Sequence, residues 1–242
     1  GDASALWGDV AASEALDFAN FPDPKYDSQA SVLALAQTML SNGITNAGSA
    51  PVTAYGTPVY GATSANWGEV AHTLKARYYL VAKDYANALS EANLGISSSA
   101  GDLVSSHSNT IGARNLYFQF IVDERGGYLT AGGSHMKNLI DGTTARLLAT
   151  PGDAERAAVY FDGVEMNTNT GGIFAVDAAF PIVSYMETLF IAAEADQRVN
   201  GGSGGQATFN DIRAELATMY GGSFPATTST GANLLMEILE EK

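Results

Sequence analysis

The strongest constraint on the fold is the segment 180–198, which reads FPIVSYMETLFIAAEADQR. Its apolar and small side chains recur at the spacing of one helix face. Pro181 suits the first turn of a helix, where its missing N–H costs nothing. The pattern therefore predicts a helix whose small residues let a neighbouring helix approach closely; the predicted buried stripe is Ile182, Tyr185, Leu189, Ala192 and Ala193.

A glycine-rich turn follows this helix at 201–205, with the sequence GGSGG. Beyond it, apolar residues at helical spacing continue to the next glycine pair, Gly221 and Gly222. Glycines at such positions are typical of the break between two helices. The segment 181–220 is thus predicted to be a helical hairpin.

A second hairpin is predicted over 66–96. Asn66 is followed three residues later by Glu69, which is the spacing of a capping box at the start of a helix. Asp84 can cap a second helix, and Gly95 can end it. Two antiparallel helices of this length, with small residues where they meet, are typical of a tetratricopeptide-like unit.

The rest of the chain predicts further helices joined by long loops. Helices are expected from residue 27 or 28 to about Leu40, ending at Asn42 and Gly43, and over 134–140, 153–161 and 231–241. Residues 1–26 and 43–65 are expected to be loops. The predicted fold is mainly α, a single domain over 1–242 with tetratricopeptide-like hairpins, little strand and a loop-rich insertion at 97–180.

Composition excludes several classes of function. The chain has 26 acidic and 12 basic residues, a formal charge of -14. Such a surface repels phosphate backbones, so nucleic acid is not expected as a partner. There is no cysteine, which removes disulfides, thiolate metal sites and thiol nucleophiles. No apolar run reaches the length of a transmembrane helix.

Glu187 and Glu194 are the most suggestive carboxylates, because seven residues of helix place them on similar faces. Their Cα atoms would lie about 10 Å apart along the axis. Retaining glycosidases hold their carboxyl groups about 5–5.5 Å apart and inverting ones about 6.5–9.5 Å. Arg198 follows Glu194 at i+4, the favourable order for an ion pair. A scaffold role is favoured and no enzyme is predicted; a hydrolase that uses both glutamates remains an alternative.

Other candidate chemistry is weaker. His72, His107 and His135 are not spaced as metal ligands on one helix, and His72 is expected to be partly buried. Ser203 lies in a G-x-S-x-G pattern, but the nucleophile elbow needs a preceding strand, and a helix is predicted there. The loop 162–169 has several oxygen donors that could bind Ca²⁺, but they do not have the spacing of an EF-hand loop. Solvation of the loop is the favoured explanation for them. No metal or cofactor is predicted.

Aromatic residues are concentrated in the insertion and are the main candidates for ligand binding. Flat rings can stack on the apolar C–H faces of sugars, while amide, guanidinium and phenol groups bond to hydroxyls. The opposing interpretation is that most of these rings belong to the core. The candidate ligand-binding residues are Tyr55, Tyr60, Asn115, Tyr117, Arg125 and Tyr128.

Several segments, taken in order, resemble the SusD/RagB family. The segment 68–96 resembles its central tetratricopeptide segment, and 180–198 is similar to its aromatic–Glu–aliphatic–Ala–Glu–Ala run. The remaining matches are to its G-D-V-P-x-x-E-A, NP-x-x-x-F, loop and D-P-R segments, at 7–16, 115–120, 125–136 and 152–161. Ala11 replaces the usual proline after Gly-Asp-Val, and the D-P-R proline is also missing. Family members are longer, so the chain is expected to be an internal portion.

The resemblance implies a SusD-like α-α superhelix and a non-catalytic function. It implies a cell-surface lipoprotein of the outer membrane, anchored by a lipid outside this sequence. Such a protein would bind an oligosaccharide, a polysaccharide or another nutrient and deliver it to a TonB-dependent transporter of the SusC type. The alternative is a helical-repeat scaffold that binds protein and no glycan.

Overall fold

The computed structural model describes residues 1–47, 50–51 and 66–242, of which about 51% are helical. The prediction of a mainly α fold is confirmed. The helices of this part of the chain are α1 (Asp2–Trp7), α2 (Gln29–Ala47), α3 (Trp67–Val81), α4 (Tyr85–Ala92), α5 (Leu116–Phe118), α6 (His135–Ile140), α7 (Asp153–Tyr160), α8 (Tyr185–Asn200), α9 (Gln206–Tyr220) and α10 (Gly231–Glu241).

Four short strands form two antiparallel pairs among the described residues. Strand β1 (Leu103–Ser105) pairs with β4 (Phe180–Val183), and β2 (Phe161–Asp162) pairs with β3 (Glu165–Met166). In the first pair, Leu103 lies opposite Val183 and Ser105 opposite Phe180. This pair joins two segments that are far apart in the sequence.

The predicted start of helix α8 is wrong. Pro181 and Ile182 were expected in its first turns and lie in strand β4 instead. Ser184 has an extended backbone, and its hydroxyl accepts the N–H of Glu187 at 3.1 Å, so the helix begins at Tyr185. This cap, with Glu three residues after Ser, has the sequence pattern of a capping box.

The end of helix α2 and the presence of helix α1 also differ from the prediction. Helix α2 continues through Asn42 and Gly43, where its end was expected. One glycine inside a helix costs only about 1 kcal/mol relative to alanine, which tertiary packing can offset. Helix α1 lies in a segment that was predicted to be loop. Helices α6, α7 and α10 lie where the sequence predicts them, within one residue.

The hairpin of α3 and α4 has the predicted caps. The side-chain oxygen of Asn66 accepts the N–H of Glu69 at 2.9 Å, and Asp84 accepts the N–H of Asn87 at 3.3 Å. Each bond satisfies one backbone donor that has no partner within the helix. Lys83, between the two helices, has a φ of 61°, which turns the chain sharply.

Helix α8 is buried between the hairpin of α3 and α4 on one side and helices α9 and α10 on the other. On one side its small and aliphatic residues pack with alanines of α3 and α4; this cluster is Ala76, Ala88, Ala92, Ile191, Ala192 and Ala195. On the other side Phe190 and Ala193 pack against α9 and α10, together with Phe209, Ile212, Leu216, Phe224, Leu234 and Ile238. Helix α8, the first helix of the second hairpin, therefore also packs against the first hairpin. That residues 1–242 form a single domain stays a prediction.

Gly205 makes the close approach of α9 to α8 possible. Its φ is 75°, a conformation that side-chain-bearing residues rarely adopt. A Cβ built on it would lie 2.2 Å from the carbonyl oxygen of Ala193. Any larger residue at this position would push the start of α9 away from α8.

A buried group of charges links α7, α9 and α10. Glu241, whose side chain is 1% exposed, accepts hydrogen bonds from three arginines: Arg146 at 2.6 Å, and Arg156 and Arg213 at 2.5 Å each. Arg156 also bonds to Asp153 within α7. The carboxylates offset the charges of the arginines. Removing one carboxylate would leave buried guanidinium charge without a partner, which destabilises the folded protein.

Replacing Glu241 with Ala is expected to destabilise the protein by about 3–5 kcal/mol, because it leaves buried guanidinium groups without their shared partner. Urea unfolding followed by circular dichroism measures this difference. Glu165→Ala is the matched control, since Glu165 is exposed on strand β3. Equal unfolding midpoints for the two variants would contradict a stabilising role for the cluster.

Candidate functional site

The predicted binding residues fall into two groups. Tyr55 and Tyr60 lie outside the described residues. Asn115, Tyr117, Arg125 and Tyr128 belong to one stretch that contains helix α5 and a π-helical turn at Gln119–Glu124. The structure does not test ligand binding by any of the six residues, so their role stays a prediction.

Asn115 is fully buried and caps helix α5. Its side-chain oxygen accepts the N–H of Tyr117 at 2.9 Å and that of Phe118 at 3.3 Å. Its amide donates to the carbonyl oxygen of Ala178 at 3.0 Å. Asn115 thus positions Tyr117 relative to the segment that leads into β4.

Tyr117 stands among other rings. Its ring centroid lies 5.1 Å from that of Phe174, in an edge-on arrangement, and 5.4 Å from that of Phe180. Such contacts fix the orientation of a ring beyond what burial alone would do. Tyr117 remains 38% exposed, so part of its surface is available to a ligand.

These rings border a concave site, which we call the aromatic pocket. Its volume is about 370 Å³, within the range of about 300–1,000 Å³ that is typical of small-ligand sites. The antiparallel pair of β1 and β4 places Ser105 opposite Phe180 at the pocket. The lining residues are Ser105, His107, Asn115, Leu116, Tyr117, Phe120, Leu129 and Phe180.

Phe120 reaches the pocket from the π-helical turn and is 42% exposed. π-helical segments are rare in proteins and are frequently found at functional sites. Large apolar side chains that are exposed around one concavity are typical of a binding surface. The geometry therefore supports this pocket as the candidate functional site.

Arg125 and Tyr128 lie together but do not line the pocket. The guanidinium carbon of Arg125 is 5.9 Å from the ring centroid of Tyr128, which is a cation–π contact. Tyr128 is largely exposed, and its neighbour Leu129 does line the pocket. The predicted residues are thus divided between the pocket, which Asn115 and Tyr117 line, and the loop beside it.

Six lining residues were not among the sequence candidates: Ser105, His107, Leu116, Phe120, Leu129 and Phe180. Phe120 belongs to the same ring-rich stretch of sequence as Tyr117, and this proximity marks it as a candidate lining residue. Ser105 and His107 lie at and just beyond the end of a three-residue strand, too short to show a period of two. Their place in the pocket depends on pairing with β4.

A second group of exposed large apolar residues lies near the start of the chain. We call it the N-terminal aromatic segment; its exposed large side chains are Leu6, Trp7, Leu16, Phe18, Phe21 and Tyr26. Val10 and Asp27 pair as an isolated β-bridge, which closes residues 10–27 into a loop, while Leu6 and Trp7 precede it in helix α1. A segment with this many exposed large apolar residues is a candidate interaction surface.

Asp27 holds this loop together. Its carboxylate accepts the N–H of Ser13 and the hydroxyl of Ser13, each at 2.8 Å, and the N–H of Ala12 at 2.9 Å. The backbone bond from Ser13 is the largest cause that lowers the pKa of Asp27 below its ordinary value of 3.8, because these donors favour the ionised form.

Glu187 and Glu194 each face basic groups. Glu187 accepts two hydrogen bonds from the guanidinium of Arg77, at 2.5 and 2.7 Å. Glu194 accepts a bond from Arg198 at 2.8 Å and one from Lys242 at 3.2 Å. The predicted ion pair of Glu194 with Arg198 is confirmed. These contacts join α3 to α8 and α8 to the end of α10.

His72 is partly buried, as predicted, and its Nδ1 lies 2.6 Å from a carboxylate oxygen of Glu91. Lys75 reaches the other oxygen of Glu91 at 2.5 Å. Across the described residues, no group of three or more His, Asp or Glu side chains is arranged to hold a metal ion. In the same part of the chain, no helix combines the length and apolar character needed to cross a membrane.

Sequence comparison finds no matching family model and no matching curated protein. Structure comparison does find similar proteins. A crystal structure of a SusD/RagB family protein from Bacteroides thetaiotaomicron matches 98% of this chain with a TM-score of 0.57 and 18% identity. The chain has a SusD/RagB-like fold.

A structure described as a chitin-binding protein is also similar to this SusD/RagB-like chain. It covers 99% of the chain with a TM-score of 0.52 and 20% identity. The chain spans 57% of the length of each of these two proteins. At such identities the likeness establishes the fold, while the ligand must be inferred from the site.

The hydrogen bonds of Asp27 make the stability of the N-terminal loop dependent on pH. Since the folded-state pKa is below 3.8, the stabilisation is fully present above the unfolded-state pKa and is lost as the pH falls through the folded-state value. The difference in unfolding free energy between wild type and Asp27→Asn is expected to shrink over that acidic window. Urea unfolding from pH 6 to pH 3 measures it.

Asp177→Asn serves as the control for this titration, because Asp177 is exposed in another loop. A constant difference between wild type and Asp27→Asn over the whole pH range would show that the Asp27 carboxylate does not stabilise the loop.

Proposed function

We propose that this SusD/RagB-like protein binds a glycan without modifying it, and that the aromatic pocket is the binding site. The observation that carries the proposal is the set of rings that line the pocket: Tyr117 and Phe120 are exposed, and Phe180 is half-buried. A pyranose ring presents an apolar C–H face, and burying that face against an aromatic ring removes both surfaces from water.

Three further observations support glycan as the ligand. The pocket volume suits a unit of one sugar or part of two. One structural neighbour is described as a chitin-binding protein. The contacts of Asn115 hold the pocket in shape before any ligand arrives, and preorganisation lowers the entropic cost of binding.

The pairing of Glu187 and Glu194 with basic groups supports a function in binding and not in hydrolysis. Hydrolysis by this pair would need both carboxylates free to face a substrate, one to protonate the leaving group and one to attack or to activate water. Both are instead engaged in ion pairs within the protein, Glu187 with Arg77 and Glu194 with Arg198. The proposed protein therefore releases its glycan unchanged.

We further propose that the protein acts at the outer surface of the outer membrane, anchored by a lipid outside this sequence. In this proposal it delivers its ligand to a TonB-dependent transporter of the SusC type. The N-terminal aromatic segment supports a protein partner, since exposed Trp7, Phe18 and Tyr26 are the residue types enriched in protein interfaces.

The same segment favours the alternative, a helical-repeat scaffold that binds protein and no glycan. The two functions depend on different parts of the molecule. Glycan binding requires the aromatic pocket, whereas a pure scaffold requires only exposed surface such as the N-terminal aromatic segment. Variants in the two places separate them.

Isothermal titration calorimetry against a panel of neutral oligosaccharides tests glycan binding. Tyr117→Ala and Phe120→Ala are each expected to weaken binding by at least about fivefold, roughly 1 kcal/mol, because each removes an aromatic contact surface. Phe18→Ala removes an exposed ring from the N-terminal aromatic segment and is expected to leave the affinity unchanged.

Thermal unfolding of each variant verifies that it remains folded, which matters for Tyr117 because of its contacts with Phe174 and Phe180. Recovery of shortened oligosaccharides after incubation would contradict the non-catalytic proposal. Heat signals that vanish with Phe18→Ala and survive Phe120→Ala would move the site away from the aromatic pocket.

A further inference from the structure

The polar groups of the aromatic pocket are few, which restricts the kind of sugar it can hold. Asn115 lines the pocket, but its side chain is bonded to Tyr117, Phe118 and Ala178 within the chain. Within the part of the chain that the structure describes, the hydroxyl of Ser105 and the imidazole of His107 have no hydrogen-bond partner. These two groups are free to bond to a ligand.

The remaining walls are apolar. Leu116, Phe120, Leu129 and Phe180 offer no side-chain hydrogen bond, and Tyr117 offers only its phenol. A ligand group that placed several hydroxyls between these walls would bury them without partners. Sites that leave buried polar groups unpaired bind weakly, because each such group loses its bonds to water.

An acetamido substituent matches this distribution of polar and apolar surface. It combines a methyl group with one carbonyl acceptor and one N–H donor. The methyl group can pack on the aromatic and aliphatic walls, and its burial is favourable. The two polar atoms need only two partners, and a hydroxyl or a neutral imidazole can each donate or accept.

The fold places the two polar groups beside the rings. Ser105 lies directly opposite Phe180 in the pair of β1 and β4. His107 follows two residues later and lines the same pocket. A substituent that rests on Phe180 is therefore next to Ser105, at the polar edge of the pocket.

We propose that the aromatic pocket selects neutral sugars that carry an acetamido group at C2, with the methyl group against the rings and the amide bonded to Ser105 and His107. This inference rests on the proposed glycan binding and specifies its ligand class. The formal charge of -14 disfavours acidic glycans by repulsion, which agrees with a neutral ligand.

Two oligosaccharides of equal length test the inference. Chitohexaose and cellohexaose are both neutral and β-1,4-linked, and they differ only in the acetamido or hydroxyl group at C2. Calorimetry with the wild-type protein is expected to show at least about tenfold tighter binding of chitohexaose, the effect typical of one small apolar group that fits its pocket. Equal affinities would overturn the acetamido proposal and leave glycan binding intact.

Matched variants locate the selectivity. Ser105→Ala and His107→Ala are each expected to weaken chitohexaose binding by about two- to tenfold, the effect of one lost hydrogen bond. Ser106→Ala and His135→Ala are the controls, since neither residue lines this pocket. Wild-type affinity in both Ser105→Ala and His107→Ala would overturn the assignment of the amide to these groups.

The absence of detectable binding to both hexasaccharides would also overturn the acetamido proposal. Binding of another neutral oligosaccharide in the panel would then preserve glycan binding as the function. The absence of binding to every oligosaccharide in the panel would overturn both the acetamido proposal and glycan binding. The failure of one proposal can therefore be told from the failure of both. Thermal unfolding of every variant confirms that a lost signal reflects the site and not the fold.

Discussion

The close packing of helix α8 on both of its sides is the constraint on which the rest of the structure depends. Ala192 and Ala195 bring it close to the alanines of α3 and α4, while Ala193 and Phe190 face α9 and α10. Small side chains allow helices to approach closely, and dense packing then makes any enlargement costly. Because strand β4 ends just before this helix, the position of α8 also sets the position of Phe180 and hence of the aromatic pocket.

The candidate site is assembled from three segments that are distant in the sequence. Strand β1 and the residues after it bring Ser105 and His107, the stretch 115–129 brings Tyr117 and Phe120, and β4 brings Phe180. The pairing of β1 with β4 is what unites them. Such non-local contacts form only when the chain has closed a long loop, at a cost in conformational entropy. The site is therefore a property of the folded molecule and not of any local motif.

The sequence predicts the helices well and the site only in part. Caps at Asn66 and Asp84 and a steady helical period mark α3 and α4, because these signals are local. The period also identifies α8. The predicted start of this helix is wrong because Pro181 was assigned to its first turn, and proline is tolerated both at the start of a helix and near the end of a strand. For the site, a cluster of rings points to Tyr117, while nothing local marks Ser105 or His107. Their partners lie in β4, and strands of three or four residues show no reliable pattern.

If the aromatic pocket binds a glycan as proposed, Asn115 has a consequence for the kinetics of that binding. Its side chain ties the first turn of α5 to Ala178, which fixes the position of Tyr117 relative to the segment that leads into β4. In the proposed binding, the part of the pocket that Asn115 holds is already ordered, so association need not wait for that part to change conformation. A ligand that meets such a surface should bind at a rate set by encounter and leave at a rate set by its contacts. Differences in affinity among ligands should then appear chiefly in how long each one stays.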